Sequence, residues 1–141
     1  MMLKRLLLLL SLLLFGGCSV SHHAIHPSCH KTLYGSVWHL KMIDNEKVTL
    51  KQSPYLQFTD DGNVHGFSGC NHFFKKVTID ETTMHFDSQL GGTRRYCMAE
   101  AGRIERRIFS MLQESKWWQL DTMGDLVIFD DEHRLILSRR K

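Results

Sequence analysis

The residues of this chain with chemistry to offer are four cysteines and a crowd of histidines. Cys18, Cys29, Cys70 and Cys97 carry thiols that can be acylated, bridged or bound to metal, and His22, His23, His26 and His30 gather around Cys29. Imidazole and thiolate are good ligands for zinc, copper or nickel. His22, His26 and His30 are the metal candidates on composition, but their spacing matches no rigid ligand motif and histidine is also an ordinary linker residue. The sequence therefore assigns no metal and no cofactor. His39, His65, His72, His85 and His133 are scattered and read as surface or strand residues. No Cys-x-x-Cys pair offers a tuned thiolate for redox catalysis. Ser68 sits in Gly66-Phe67-Ser68-Gly69, which is not the Gly-x-Ser-x-Gly elbow of hydrolases. With no phosphate loop or paired carboxylates on one helix face, the chain reads as non-catalytic.

The first eighteen residues concern location. Lys4 and Arg5 precede a run from Leu6 to Phe15 that is apolar apart from Ser11, and Gly16 and Gly17 lead to Cys18. A basic head, a short apolar core and a small-residue exit form a secretory signal. The run is about half of the ~20 residues that span a bilayer. Leu14-Phe15-Gly16-Gly17-Cys18 resembles the lipobox of bacterial lipoproteins, with Phe15 where that group prefers Leu. The resemblance implies that residues 1–17 are removed and that the Cys18 thiol carries lipid. Each buried methylene contributes ~0.8 kcal/mol, so several acyl chains hold firmly. In that group an Asp after the cysteine marks inner-membrane retention. Ser19 stands there instead, which implies anchoring in the outer membrane facing the periplasm, or in the cell membrane of an organism without an outer one.

Cleavage leaves about 124 of the 141 residues, one domain's worth. It also removes Lys4 and Arg5, so the formal charge falls from +3 to about +1. That balance gives no electrostatic case for nucleic acid. Residues 18–33, rich in Ser, His and Pro, read as a flexible tether, and 34–141 as the folded unit. Cys70 and Cys97 lie inside that unit and Cys29 in the tether, which favours a Cys70–Cys97 bridge in an oxidising compartment. A pairing through Cys29 stays open. Closing the Cys70–Cys97 loop would stabilise the fold by roughly 3–4 kcal/mol on a chain-entropy account.

Local patterns supply the elements that must position these groups. Trp38, Leu40 and Met42 alternate with polar neighbours, the period of a half-buried strand. Val48 to Leu50 is a short extended piece. Tyr55–Phe58 and Val64–Phe67 flank Asp60-Asp61-Gly62-Asn63, a hairpin turn. Gly66, Gly69 and Asn71 cluster where a bulge or close backbone crossing is expected, with Asn71 capping the turn through its amide. Phe73 and Phe74 read as core, Val77–Ile79 and Met84–Phe86 as strands, and Gly91-Gly92-Thr93 as a break. One helix is clear over residues 99–114, where Ile104, Ile108, Met111 and Leu112 share a face and Arg103, Glu105, Arg106 and Arg107 fill the other. Three strands close the chain, at 117–120, 126–129 and 135–138. In a strand, Trp117 and Trp118 must point to opposite faces. The fold class is α+β: a strongly curved antiparallel sheet or partly open barrel with one main amphipathic helix.

The run from Leu56 to Phe73, with Gly66-Phe67-Ser68-Gly69-Cys70-Asn71 at its heart, resembles the centre of the META domain of HslJ-like bacterial lipoproteins. Thr93-Arg94-Arg95-Tyr96-Cys97 is similar to that family's Thr-x-x-x-Cys, and Trp38-His39-Leu40 to its opening Trp-x-Leu. The resemblance covers about residues 35–138. It departs at Phe74-Lys75-Lys76-Val77, where the family shows a Gly and a Tyr, and at Arg95-Tyr96, where an apolar residue usually precedes the second cysteine. It implies an envelope protein linked to heat or antibiotic stress, with no assigned catalytic residue.

Three functions fit these readings. The first is a lipid-anchored envelope protein that binds or scaffolds a protein partner. The second is an anchored inhibitor of a lysozyme or protease, presenting the loop from Gly69 to Lys76. The third is a pilotin or carrier, which would need a cavity of ~300 Å³ or more lined by Phe58, Phe73, Ile108 and Phe129.

Overall fold

The computed structural model describes residues 33–140. The signal segment, Cys18, the tether histidines His22, His26 and His30, and Cys29 lie outside the described residues. Leu33 is fully buried and its carbonyl accepts a hydrogen bond from the Trp38 indole N–H, so the packed unit includes the residue expected to end the tether.

Alternating apolar residues make the strands, and they all pair antiparallel. β1 (Val37–Ile43), β2 (Glu46–Lys47), β3 (Tyr55–Thr59), β4 (Asn63–Phe67), β5 (His72–Ile79), β6 (Met84–Phe86) and β7 (Gly91–Gly92) precede the helix α1 (Ala99–Glu114). β8 (Trp117–Leu120), β9 (Leu126–Phe129) and β10 (Arg134–Arg139) follow it. The sheet runs β6-β5-β4-β3-β1-β10-β9-β8, with β2 added to β1 and β7 to β5. A register shift between Leu40 and Met42 changes which face β1 turns inward. Trp38, Leu40 and Ile43 therefore all reach the core, as a bulge permits. A bridge between Thr83 and Trp117 brings the two ends of the sheet together. Beside it Met84 N–H donates to Lys116 O and Trp118 N–H to Thr82 O, each at 3.0 Å. The sheet is thus a nearly closed barrel with little exposed edge, and the α+β expectation holds.

The helix packs one face against the inner side of this curve. Ile104, Ile108, Met111 and Leu112 are buried on one face and join a core with Phe58, Trp38, Leu126 and Ile128. Phe109 meets Phe73 edge to face at 5.1 Å. Lys75 also points inward from β5, nearly buried, and its Nζ donates to Gln113 Oε1. Burial lowers the Lys75 pKa against the pull of Asp87. An apolar pocket between Leu40, Pro54, Tyr55, Phe67, Ile108 and Leu137 holds only about 10 Å³.

Several local readings are corrected. Residues 48–50 are not a strand; the extended pair is Glu46–Lys47, turned back on β1 after Asp44 takes a positive φ of 54°. β5 begins at His72, so most of the Gly69–Lys76 stretch is sheet and not a protruding loop. Alternation along β5 sends Phe73 inward and leaves Phe74 53% exposed. Phe129 faces outward, against Trp117 at 5.8 Å and beside an open pocket with Gln119 and Val127, whereas Phe58 is fully buried in the core. Trp118 is buried, so the two indoles do take opposite faces.

The β1–β2 hairpin is latched to the helix by charge. Arg103 binds Glu46 and Glu100, and Arg107 binds Glu46 and Asp44. Asp44 feels burial that would raise its pKa. The Arg134 backbone N–H, His133 and Arg107 outweigh this and hold it below the ordinary value. Arg103 and then Arg107 hold Glu46 low as well. The unfolded chain therefore binds more protons than the folded one near about pH 4. The latch contributes fully above that pH and is lost as pH falls through the lower folded-state values. In urea melts, Glu46→Gln should be less stable than wild type near about pH 6 and indistinguishable from it near about pH 2. Ile108→Ala should cost about 2–5 kcal/mol in the same assay at neutral pH. Arg106→Ala, exposed on the same helix, should stay within about 0.5 kcal/mol.

Candidate functional site

The residues singled out by the sequence motifs meet at one mouth of the barrel. Gly66 is required by close packing: a Cβ there would lie 2.4 Å from the Phe73 ring and 2.9 Å from Tyr55 O. After Phe67 the chain turns through Gly69, whose φ of +96° favours glycine. Ser68 fastens this turn. Its N–H donates to Asn71 O at 2.9 Å, and its hydroxyl accepts the Asn71 N–H at 2.9 Å. The capping role expected of Asn71 thus belongs to Ser68, because the Asn71 side chain turns the other way, into the protein.

That side chain is 4% exposed and joins three segments. Its Oδ1 accepts the Thr93 hydroxyl and the Arg95 N–H, each at 2.8 Å. Its Nδ2 donates to Arg95 O at 3.0 Å and to Glu105 Oε1 at 3.2 Å. Thr93 in turn accepts the His72 N–H, so β5, the loop before the helix and the helix itself are tied at one amide. Gly66, Gly69, Asn71 and Thr93 are therefore parts of one assembly.

Glu105 completes it. Read as part of the polar helix face, it instead turns inward and accepts the Ser68 hydroxyl as well as the Asn71 amide. Its position next to Ile104 and one turn before Ile108 places it at the border of the apolar face, the signal that could have revealed it. Among the described residues no buried side-chain nitrogen or oxygen lacks a partner.

Cys70 and Cys97 form a disulfide across 27 residues, with 5.9 Å between their Cα atoms. Cys97 Sγ lies 3.2 Å from Glu105 Oε1 and 3.0 Å from Asn71 Nδ2. A carboxylate beside a sulfur opposes thiolate formation, so this bond suits a fastener better than a redox centre. Cys70, Cys97 and Glu105 are also the described residues whose donor atoms crowd closely enough, within 4.8 Å, to share a metal ion. Both sulfurs are committed to each other, and the Glu105 carboxylate already accepts from Ser68 and Asn71.

Beside this assembly lies an open groove of about 430 Å³ lined by Phe73, Leu90, Thr93, Arg94, Arg95 and Phe109. The groove is a feature of the surface, outside the barrel's packed interior. Removal of the central amide tests the assembly. Asn71→Ala should cost about 1–3 kcal/mol in chemical denaturation, since it strands buried partners. Asn71→Asp places a second carboxylate against Glu105, and like charges raise one pKa of the pair. Its penalty should be larger near pH 7 than near about pH 4, where one carboxyl takes up a proton.

Two solved structures share this fold. An NMR structure of a protein from Burkholderia xenovorans superposes with a TM-score of 0.62 at 22% identity, covering 82% of this chain and 89% of that one. A second NMR structure matches with a TM-score of 0.61, also at 22% identity, over 77% of this chain and 92% of its own. No curated protein matches the chain in sequence. The model of the META domain, however, matches residues 31–141, which takes in the barrel, the Asn71 assembly and the bridged cysteines together. The chain belongs to the META domain family.

Proposed function

We propose that this protein is exported, anchored by lipid on Cys18 in the bacterial envelope, and acts there by binding a protein partner without catalysing a reaction. The Cys70–Cys97 disulfide carries the reading. Such a bridge persists in an oxidising compartment, and it sits behind a segment with the order of a lipoprotein signal. Support for binding over catalysis comes from the Asn71 assembly, whose polar groups are satisfied by one another. The small interior pocket supports surface recognition over carriage of an apolar ligand, which needs hundreds of Å³. Heat or antibiotic stress is the setting in which the family resemblance puts such a role.

Metabolic labelling with a palmitate analogue tests the anchor. Wild type should incorporate label and partition with membranes. Cys18→Ser should lose the label entirely and remain as the longer, unprocessed chain. Equal labelling of both would remove the anchor.

A further inference from the structure

The segment from Thr93 to Met98 alternates in its contacts. Thr93 binds Asn71 Oδ1, Arg95 gives Asn71 both its N–H and its carbonyl, and Cys97 is held by the disulfide. The alternate residues make no such contacts and face solvent: Arg94 and Tyr96 between them and Met98 after Cys97, with Tyr96 90% exposed and Met98 73%. Fastening every second residue removes most of the backbone freedom that a loop would lose on binding. What it presents is a cation, an aromatic ring and a thioether in one strip. Arginine, tyrosine and methionine are the side chains enriched at protein interfaces, and Tyr and Arg supply many of their energetic anchors. The helix arginines Arg103 and Arg107 are engaged with carboxylates, whereas Arg94, like Arg106 on the exposed face of the helix, enters no hydrogen bond or ion pair among the described residues. The remaining cation of the strip, Arg95, is spent on Cys70 O. Glu105, the acid nearest the groove, is taken up by Ser68 and Asn71.

The geometry points to Arg94, Tyr96 and Met98 as a preorganised strip that docks into an apolar, carboxylate-walled cleft of a partner protein. This rests on the binding reading above and not on the lipid anchor. The charge that is left over is positive, so the complementary wall is acidic. Chain entry is elsewhere. Tyr34 bridges to Phe58 at one end of β3, whereas Thr93 N–H donates to His72 O beside the other end, where Tyr55 pairs with Phe67. The strip and the first described residues thus lie at opposite mouths of the barrel.

Site-specific photo-cross-linking in the cells that produce the full chain tests this. The probe is p-benzoylphenylalanine, placed at Tyr96 and, as a control, at Met123, which is 81% exposed on a different turn. The expected result is a discrete adduct with one protein from Tyr96 and none from Met123. The cross-linked partner peptide should carry an apolar residue flanked by Asp or Glu. Adding Arg94→Glu should cut the Tyr96 adduct by about tenfold or more, and Arg94→Lys should retain it, as expected for a charged anchor. An adduct from Met123 alone would leave a binding protein but overturn the strip. No adduct from either position would overturn both. A lipid adduct, a second copy of this chain, or a yield indifferent to Arg94→Glu would each overturn the proposed partner chemistry.

Discussion

A primary amide buried in a protein must find partners for two donors and an acceptor with two lone pairs, or it costs the fold what it cannot satisfy. Asn71 meets that demand with groups that no single segment could supply: the backbone of Arg95, the hydroxyl of Thr93 and the carboxylate of Glu105. The β4–β5 turn, the loop after β7 and the first half of α1 must therefore arrive together. Each geometric oddity nearby serves that convergence. Gly69 turns the chain, Gly66 admits the Phe73 ring, and the disulfide removes the freedom of the intervening residues in the unfolded chain.

The barrel supplies the frame. Its interior is covered by one face of a helix, which is why that face of α1 is apolar along its length while Arg106 and Ser110 opposite stay exposed, and the pocket left between helix and sheet is small. Covering a barrel this way trades a ligand cavity for rigidity at the rim. Recognition is then left to the surface, where side chains can be aimed by the fold beneath them.

Much of this architecture was legible in the sequence because it is periodic. The bounds of α1 follow from Ile104, Ile108, Met111 and Leu112, and those of β3, β6, β8 and β9 from alternation between turn residues. What stayed hidden has physical reasons. β5 alternates strictly, but its residue types conceal it, since a lysine occupies an inward place beside Gln113 and Phe74, read as core, an outward one. Glu105 looks like any helix-surface acid until the β4–β5 turn is brought against it. The difference between Ser68 capping the turn and Asn71 reaching across depends on which way a side chain points, and composition carries no sign of that. The pairing of Arg103 and Arg107 with Asp44 and Glu46 joins residues too distant in sequence for local spacing to register.

Most neighbours in the sheet are also neighbours along the chain, joined by short turns. The pairing of β1 with β10 is different, since the first long strand takes its partner from the last. A growing polypeptide can make its hairpins early, but Trp38, Leu40 and Ile43 lie uncovered on one side until residues 135–139 arrive. Completion therefore waits for β10, and a molecule cut short of that strand keeps a raw flank for chaperones and proteases to find.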